Sequence, residues 1–257
     1  MPHSMNPFDQ HDFEVRFGWG GDGLKALQRD VNAIVVVDVL SFSTCVDVVT
    51  SRGASVLPYR SRDDGVAEFA KQHNAVVAGE RGSPGTWSLS PASLMAIPPG
   101  TRLVLPSPNG STLVADAADV GCLVVVGCLR NATRVAREIS TLEPPITVIA
   151  AGERWTGPES RLRPAVEDQI GAGAIIAAAG LGSRSPEADA AVAVFEAASR
   201  HRLLEIIRSS ESGRELSQRG FDEDVAIAAD HDSSASYPLL EDGALIGRAY
   251  PQGVECH

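Results

Sequence analysis

The sequence predicts an α/β protein, a three-layer α/β/α arrangement built on a largely parallel sheet. Three observations predict it. Short β-branched runs recur, each too short for a lone helix and nearly all apolar, as strands covered on both faces are. Helical patterns fall between many of these runs. Finally, 44% hydrophobic residues in a chain of 257 supply a sizeable core. That length suits one domain over residues 1–257, or two closely packed lobes at about 1–145 and 146–257.

Residues 1–12 carry no basic n-region and no apolar h-region, and they read as a flexible tail rather than a leader. The glycines at 18, 20, 21 and 23 precede the first clear strand instead of following one, which argues against a dinucleotide fingerprint. Strands are expected at Ala33–Val37, Ala54–Leu57, Ala75–Ala78, Arg102–Leu105, Leu123–Val126 and Ile146–Ala150. Between them, Ser43–Arg52 ends at Gly53, a natural helix stop. Asp63–Gln72 sets Val66, Phe69 and Ala70 on one side, and Asn131–Ile139 can start from Asn131 as N-cap. Beyond Pro164 the pattern turns helical: an apolar, buried Val166–Ala179; Glu187–Ser210 with a break near His201; then Ser212–Gln218 and Asp222–Ala229, with Ser212 and Asp222 as N-caps. Tyr237–Gly243 reads as a turn before a last strand at Ala244–Ile246.

Composition excludes several function classes. The net charge is -11, with 33 acidic against 22 basic residues and no basic stripe, so a nucleic-acid partner is not expected. No apolar run reaches the roughly 18 residues that span a bilayer. Cys45, Cys122, Cys128 and Cys256 form no CxxC and read as small buried hydrophobes, which suits a cytoplasmic, reducing setting. His11, His73, His201, His231 and His257 have no metal spacing, and no HExxH, GxSxG or phosphate-loop signature occurs. Base rates favour a homodimer.

The residues just after the strands are informative, because open α/β sheets bind ligands outside their carboxyl ends. Val37 leads into Asp38, Ala78 into Gly79-Glu80-Arg81, Leu105 into Pro106–Ser111, and Ala151 into Gly152-Glu153-Arg154. If those strands are parallel neighbours, their acids, arginines and hydroxyls share one rim. Asp38, after four apolar residues, is desolvated unless it meets a cation or an N–H, so it is a metal or catalytic candidate, or else a helix cap. Ser43 and Thr44 open a helix and suit an anion or ordinary capping. Glu80-Arg81, flanked by glycines, is a ligand loop or a solvated ion pair, and Ala75–Arg81 is echoed by Val148–Arg154. Asn109-Gly110-Ser111 is a turn or a phosphate-facing helix start, and Asn131 a cap or a ligand group. Glu167 and Asp168 point about 100° apart, so one faces inward toward a partner unless both sit in a solvated first turn.

Asp38-Val-Leu…Ser43-Thr44, Gly79-Glu80-Arg81, Ser90-Pro91, Asn109-Gly110, Asn131-Ala132 and Glu167-Asp168 occur in one order. Together they resemble the 2-phosphosulfolactate phosphatase family, from about Ala33 to Ile176 and more weakly to Gly243. The resemblance implies an α/β fold and magnesium-dependent hydrolysis of a small anionic phosphate ester on the path to coenzyme M. It implies Asp38, Ser43, Glu80, Arg81, Asn109 and Glu167 as catalytic candidates. Ser41, Thr44, Gly110, Ser111, Asn131, Glu153 and Arg154 would contact substrate, and Asp38, Glu80 and Asp168 would hold Mg²⁺. Two places depart: the family usually carries Arg where this chain has Ser41, and Ser cannot replace that anion clamp, while Ser88-Leu89 stands where the family has Gly-Asn ahead of Ser90-Pro91. The rival readings are an anion-binding homologue without turnover and a small-acid lyase using the same carboxylates.

Overall fold

A computed structural model describes residues 8–248 except Arg62, Pro158, Glu159 and His201. Residues 1–7 of the predicted tail, His201 itself, Cys256 and His257 therefore lie outside the described residues.

The first strand is one that hydrophobic patterning misses. β1 (Val15–Trp19) carries Arg16 at a buried position, where the guanidinium donates to the carbonyls of His11, Phe13 and Arg29. The chain is pinned to it by Gln10, whose side-chain amide exchanges two hydrogen bonds with the Phe17 backbone, so the predicted tail is docked from Gln10 onward. Gly18 thus lies within a strand, and Gly20, Gly21 and Gly23 follow it and open α1 (Gly20–Leu27). Its glycines serve packing: a Cβ on Gly18 would lie 2.8 Å from Leu27, and one on Gly23 3.1 Å from the Gly18 backbone.

The chain continues through β2 (Ala33–Val37), α2 (Phe42–Ser51), β3 (Ser55–Tyr59), α3 (Val66–Gln72), β4 (Val76–Val77), α4 (Pro91–Leu94), β5 (Arg102–Pro106) and α5 (Gly110–Ala118). Next come β6 (Leu123–Gly127), α6 (Ala132–Ile139), β7 (Ile146–Ala150) and the hairpin β8 (Glu153–Arg154) with β9 (Leu162–Arg163). The chain ends with α7 (Val166–Ala179), α8 (Pro186–Arg200), α9 (Leu203–Ser209), α10 (Glu211–Gln218) and α11 (Asp222–Ala228), then β10 (Pro238–Glu241) and β11 (Ala244–Gly247). The expected break in the long helix is real, separating α8 from α9, and α10 is capped by Ser210, not Ser212: the Ser210 Oγ accepts from the Gly213 N–H at 3.0 Å.

Nine strands form one sheet in the order β1-β7-β2-β6-β10-β11-β3-β5-β4. A cut near residue 145 would remove β7 from its place between β1 and β2. The wholly apolar strands are explained by helices on both faces. In β2, Ala33, Val35 and Val37 pack toward α6, α7 and α8, whereas Ile34 and Val36 pack toward α2 and α5. Gly173 lets α7 and α8 cross closely, since a Cβ there would lie 2.0 Å from the Ala191 carbonyl oxygen.

The sheet is not one parallel rim. β1, β7, β2 and β6 run together, and so do β3, β5 and β4, but β10 and β11 join the two groups through three antiparallel pairings. The two groups therefore run in opposite directions. The loops after β2 and β7 on one side and after β4 and β5 on the other nevertheless meet around one cavity. Asp242-Gly243 makes the two-residue turn between β10 and β11, with φ of 47° and 76°, as a primed hairpin turn requires.

Candidate active site

A cavity of about 730 Å³ opens where the loops after β2, β4, β5 and β7 meet. Of the predicted residues it gathers Asp38, Ser41, Glu80, Arg81, Asn109, Glu153 and Arg154. The two halves of the internal echo, Glu80-Arg81 and Glu153-Arg154, face this same space from opposite half-sheets.

Asp38 sits at the start of α2 with 7% exposure, and its Oδ1 accepts the Phe42 N–H at 3.2 Å. Burial, and after it the charge of Glu153, pushes its pKa up to about 7, against the N–H groups of Phe42 and Gly110, which favour the anion. α2 and α5 begin side by side because Gly110 has no side chain: a Cβ would lie 2.3 Å from the Phe42 ring. Two helix N-termini thus converge on one carboxylate.

Asn109 organises the β7 side. Its Nδ2 donates to Glu153 Oε1 at 3.0 Å and its Oδ1 accepts from Arg154 Nε at 3.3 Å. Glu153 is held above the usual carboxylate range chiefly by burial, with Arg163 opposing and Glu215 and Glu167 adding to the rise. Arg81 reaches the cavity from the loop after β4, its Nη2 donating to Ser41 Oγ at 2.9 Å.

Several predicted residues do not line the cavity, for a common physical reason. Short polar side chains after a strand bond back to the turn that carries them. Ser43 Oγ accepts the Asp38 N–H at 2.8 Å, Thr44 Oγ1 donates to the Val39 carbonyl at 2.7 Å, and Ser111 Oγ donates to the Leu105 carbonyl at 2.8 Å. Asn131 accepts the Cys128 N–H at 2.9 Å and donates to the Ser236 carbonyl at 3.2 Å. All four are buried and hold turns together. Gly110 acts through close packing and its N–H.

The expected metal triad is not assembled. Asp168 is buried, with Oδ1 accepting the Val39 N–H at 2.7 Å and Oδ2 the Gly152 N–H at 2.8 Å, so it braces the loops after β2 and β7 instead of facing the cavity. Burial, then Asp38 and Glu167, raises its pKa well above the ordinary value. Glu167 is 2% exposed, adds to the rise in the Asp38 pKa, and is also outside the cavity lining. Among the described residues, no three His, Cys, Asp or Glu side chains form a ready cage for a metal ion. Mg²⁺, however, is commonly held by one or two carboxylates completed by water and substrate phosphate. The cavity pair Asp38 and Glu153, two desolvated acids of which the second raises the first, fits that partial set.

The fourth wall was not legible in the sequence. Ser212, Glu215 and Leu216 on α10, with Arg219 just after it, close the cavity, and Arg163 secures this helix through Glu211 at 2.7 Å and Ser212 at 3.1 Å. Their spacing matches one helix face, but nothing local says which face meets the sheet. No helix among the described residues is long and apolar enough to cross a membrane.

Comparison with known proteins adds to this geometry. The chain is 29% identical over 210 residues to a protein of Carboxydothermus hydrogenoformans, covering 80% of this chain and 84% of that one. It is 25% identical to one of Thermotoga maritima, with 84% and 92% covered, and 28% identical to one of Deinococcus radiodurans, with 81% and 88% covered. Each of the three is named "Probable 2-phosphosulfolactate phosphatase". Residues 24–243 match the 2-phosphosulpholactate phosphatase family as a whole, and the chain belongs to that family.

Proposed function

We propose that this chain hydrolyses a small, acidic phosphate monoester of the 2-phosphosulfolactate class, with Mg²⁺ as cofactor. The observation that carries the reading is the meeting of Asp38 and Glu153 with Arg81 and Arg154 around one cavity at the N-termini of α2 and α5. The family and the names of the three relatives point the same way.

In this reading the phosphoryl group lies against Asp38, where Arg81 and the N–H groups opening α2 and α5 take up the charge that develops on its oxygens. Asp38 and Glu153 are the carboxylates that would hold Mg²⁺, which when bound supplies a positive charge beside the phosphoryl oxygens and lowers the pKa of an attacking water. Asn109 keeps Glu153 and Arg154 in register across the cavity mouth. Residence in the cytoplasm and a dimeric state belong to the same proposal.

The test uses purified chain and 2-phosphosulfolactate, with an aryl phosphate as a generic ester, in Mg²⁺ and then in chelator. Phosphate release that needs the metal and disappears in Asp38→Asn is the expected result. Saturable binding with no release from any ester would leave the chain an anion-binding homologue, and product without phosphate would make it a lyase.

A further inference from the structure

We infer that Asp224, which lies outside the cavity on α11, is the positioning residue that aims Arg81 at the bound anion. The inference rests on the phosphate-site reading above, but not on turnover. Asp224 is 1% exposed, and both of its oxygens are used. Oδ2 accepts Arg81 Nη1 at 3.0 Å, while Oδ1 accepts Ser90 Oγ at 2.6 Å and the Ala92 N–H at 3.0 Å. One carboxylate thereby joins α11, the loop after β4 and the first turn of α4. It also takes the capping place at α4 that Ser90 would otherwise fill, since the Ser90 hydroxyl is turned toward Asp224.

Arg81 is fixed from every other side as well. Its Nη2 donates to Ser41 Oγ at 2.9 Å and to the Leu89 carbonyl, and its guanidinium carbon stands 5.3 Å from the centre of the Phe221 ring. Phe221 comes from the turn between α10 and α11 and packs beside Gly82, whose φ is +88°. An arginine on a loop would normally spend rotamer entropy when it closes on an anion. Here that freedom is removed before binding, and the side chain, 12% exposed, still lines the cavity. The buried partner also offsets much of Arg81's charge, so an anion is held by aimed N–H groups more than by net positive potential.

A double-mutant cycle on the full chain tests this, read by calorimetric titration with inorganic phosphate. Asp224→Asn preserves size and the oxygen that Ser90 and Ala92 use, but turns an N–H toward Arg81. It should weaken phosphate binding by about tenfold, in line with a charge-assisted, preorganised contact. Arg81→Gln should weaken it at least as much, and adding Asp224→Asn to Arg81→Gln should change it by less than about twofold, because the two act through one group. With an aryl phosphate, the single Asp224→Asn change should raise KM more than it lowers kcat. If Asp224→Asn does not fold, Ser90→Ala, which removes only the 2.6 Å bond, enters the same cycle with a loss of about threefold that vanishes in Arg81→Gln. Equal losses in both backgrounds would reduce Asp224 to a structural role and overturn the inference, as would phosphate affinity unaffected by Asp224→Asn or by Arg81→Gln. A wild type that binds phosphate through Arg81 yet releases none from any ester would overturn the phosphatase reading alone, and one that binds no phosphate would overturn both.

Discussion

Replacing Asp38 by Asn should make the metal-free protein more stable, and increasingly so as pH rises. Asp38 is an acid whose pKa climbs from 3.8 in the unfolded chain to about 7 in the folded one, through burial first and Glu153 second. Over that interval the folded state keeps a proton that the unfolded state has released, so stability falls as pH rises and the loss is complete above the folded value. At about 1.4 kcal/mol for each tenfold, the full loss is up to about 4 kcal/mol. Asn removes the charge and keeps an oxygen for the Phe42 N–H. The advantage of Asp38→Asn should therefore widen by about 3 kcal/mol between about pH 5 and about pH 8.5. Urea unfolding in chelator at several pH values measures it, with linear extrapolation at each. A difference that stays constant with pH, or a variant less stable than wild type at the alkaline end, would show that Asp38 is not held as a desolvated acid. The same change should abolish turnover, a trade of stability against function.

Three further outcomes are expected from particular contacts. Gly110→Ala should destabilise by about 1–3 kcal/mol, because the new Cβ overpacks against Phe42 and must push apart the starts of α2 and α5; thermal melts measure the cost and steady-state kinetics the accompanying loss of kcat/KM. Asn109→Ala removes a donor from Glu153, so its pKa should rise further and the acid limb of the kcat/KM profile should move to higher pH. Asp47→Ala, at a buried pair outside the cavity lining where Arg130 Nε lies 2.8 Å away, should cost about 3–5 kcal/mol by taking the buried carboxylate from a guanidinium left with only the exposed Asp230 at 3.8 Å, as denaturant titration would show.

The sequence alone determined which segments are strands and which are helices across most of the chain, because burial on both faces leaves a period-free apolar run that few other environments tolerate. It also determined where polar groups cluster: Asp38, Glu80-Arg81, Asn109 and Glu153-Arg154 each come after an apolar strand, and all of them reach one cavity. β1 escaped because Arg16 and Gly18 break its pattern, although three carbonyls satisfy that arginine in the fold.

Only the tertiary structure decided how these pieces face one another. Insertion of the β10–β11 hairpin reverses strand direction in mid-sheet, and no local preference encodes which strands a hairpin will separate. Only the fold could show that Asp168 spends its oxygens on two backbone N–H groups, that Ser43, Thr44 and Ser111 bond to their own turns, and that Asp224, 143 residues away along the chain, holds Arg81. Hydropathy and propensity act over a few neighbouring residues. The partner of a buried polar group is whichever donor or acceptor the packed chain brings within about 3 Å of it, and that is a property of the whole fold.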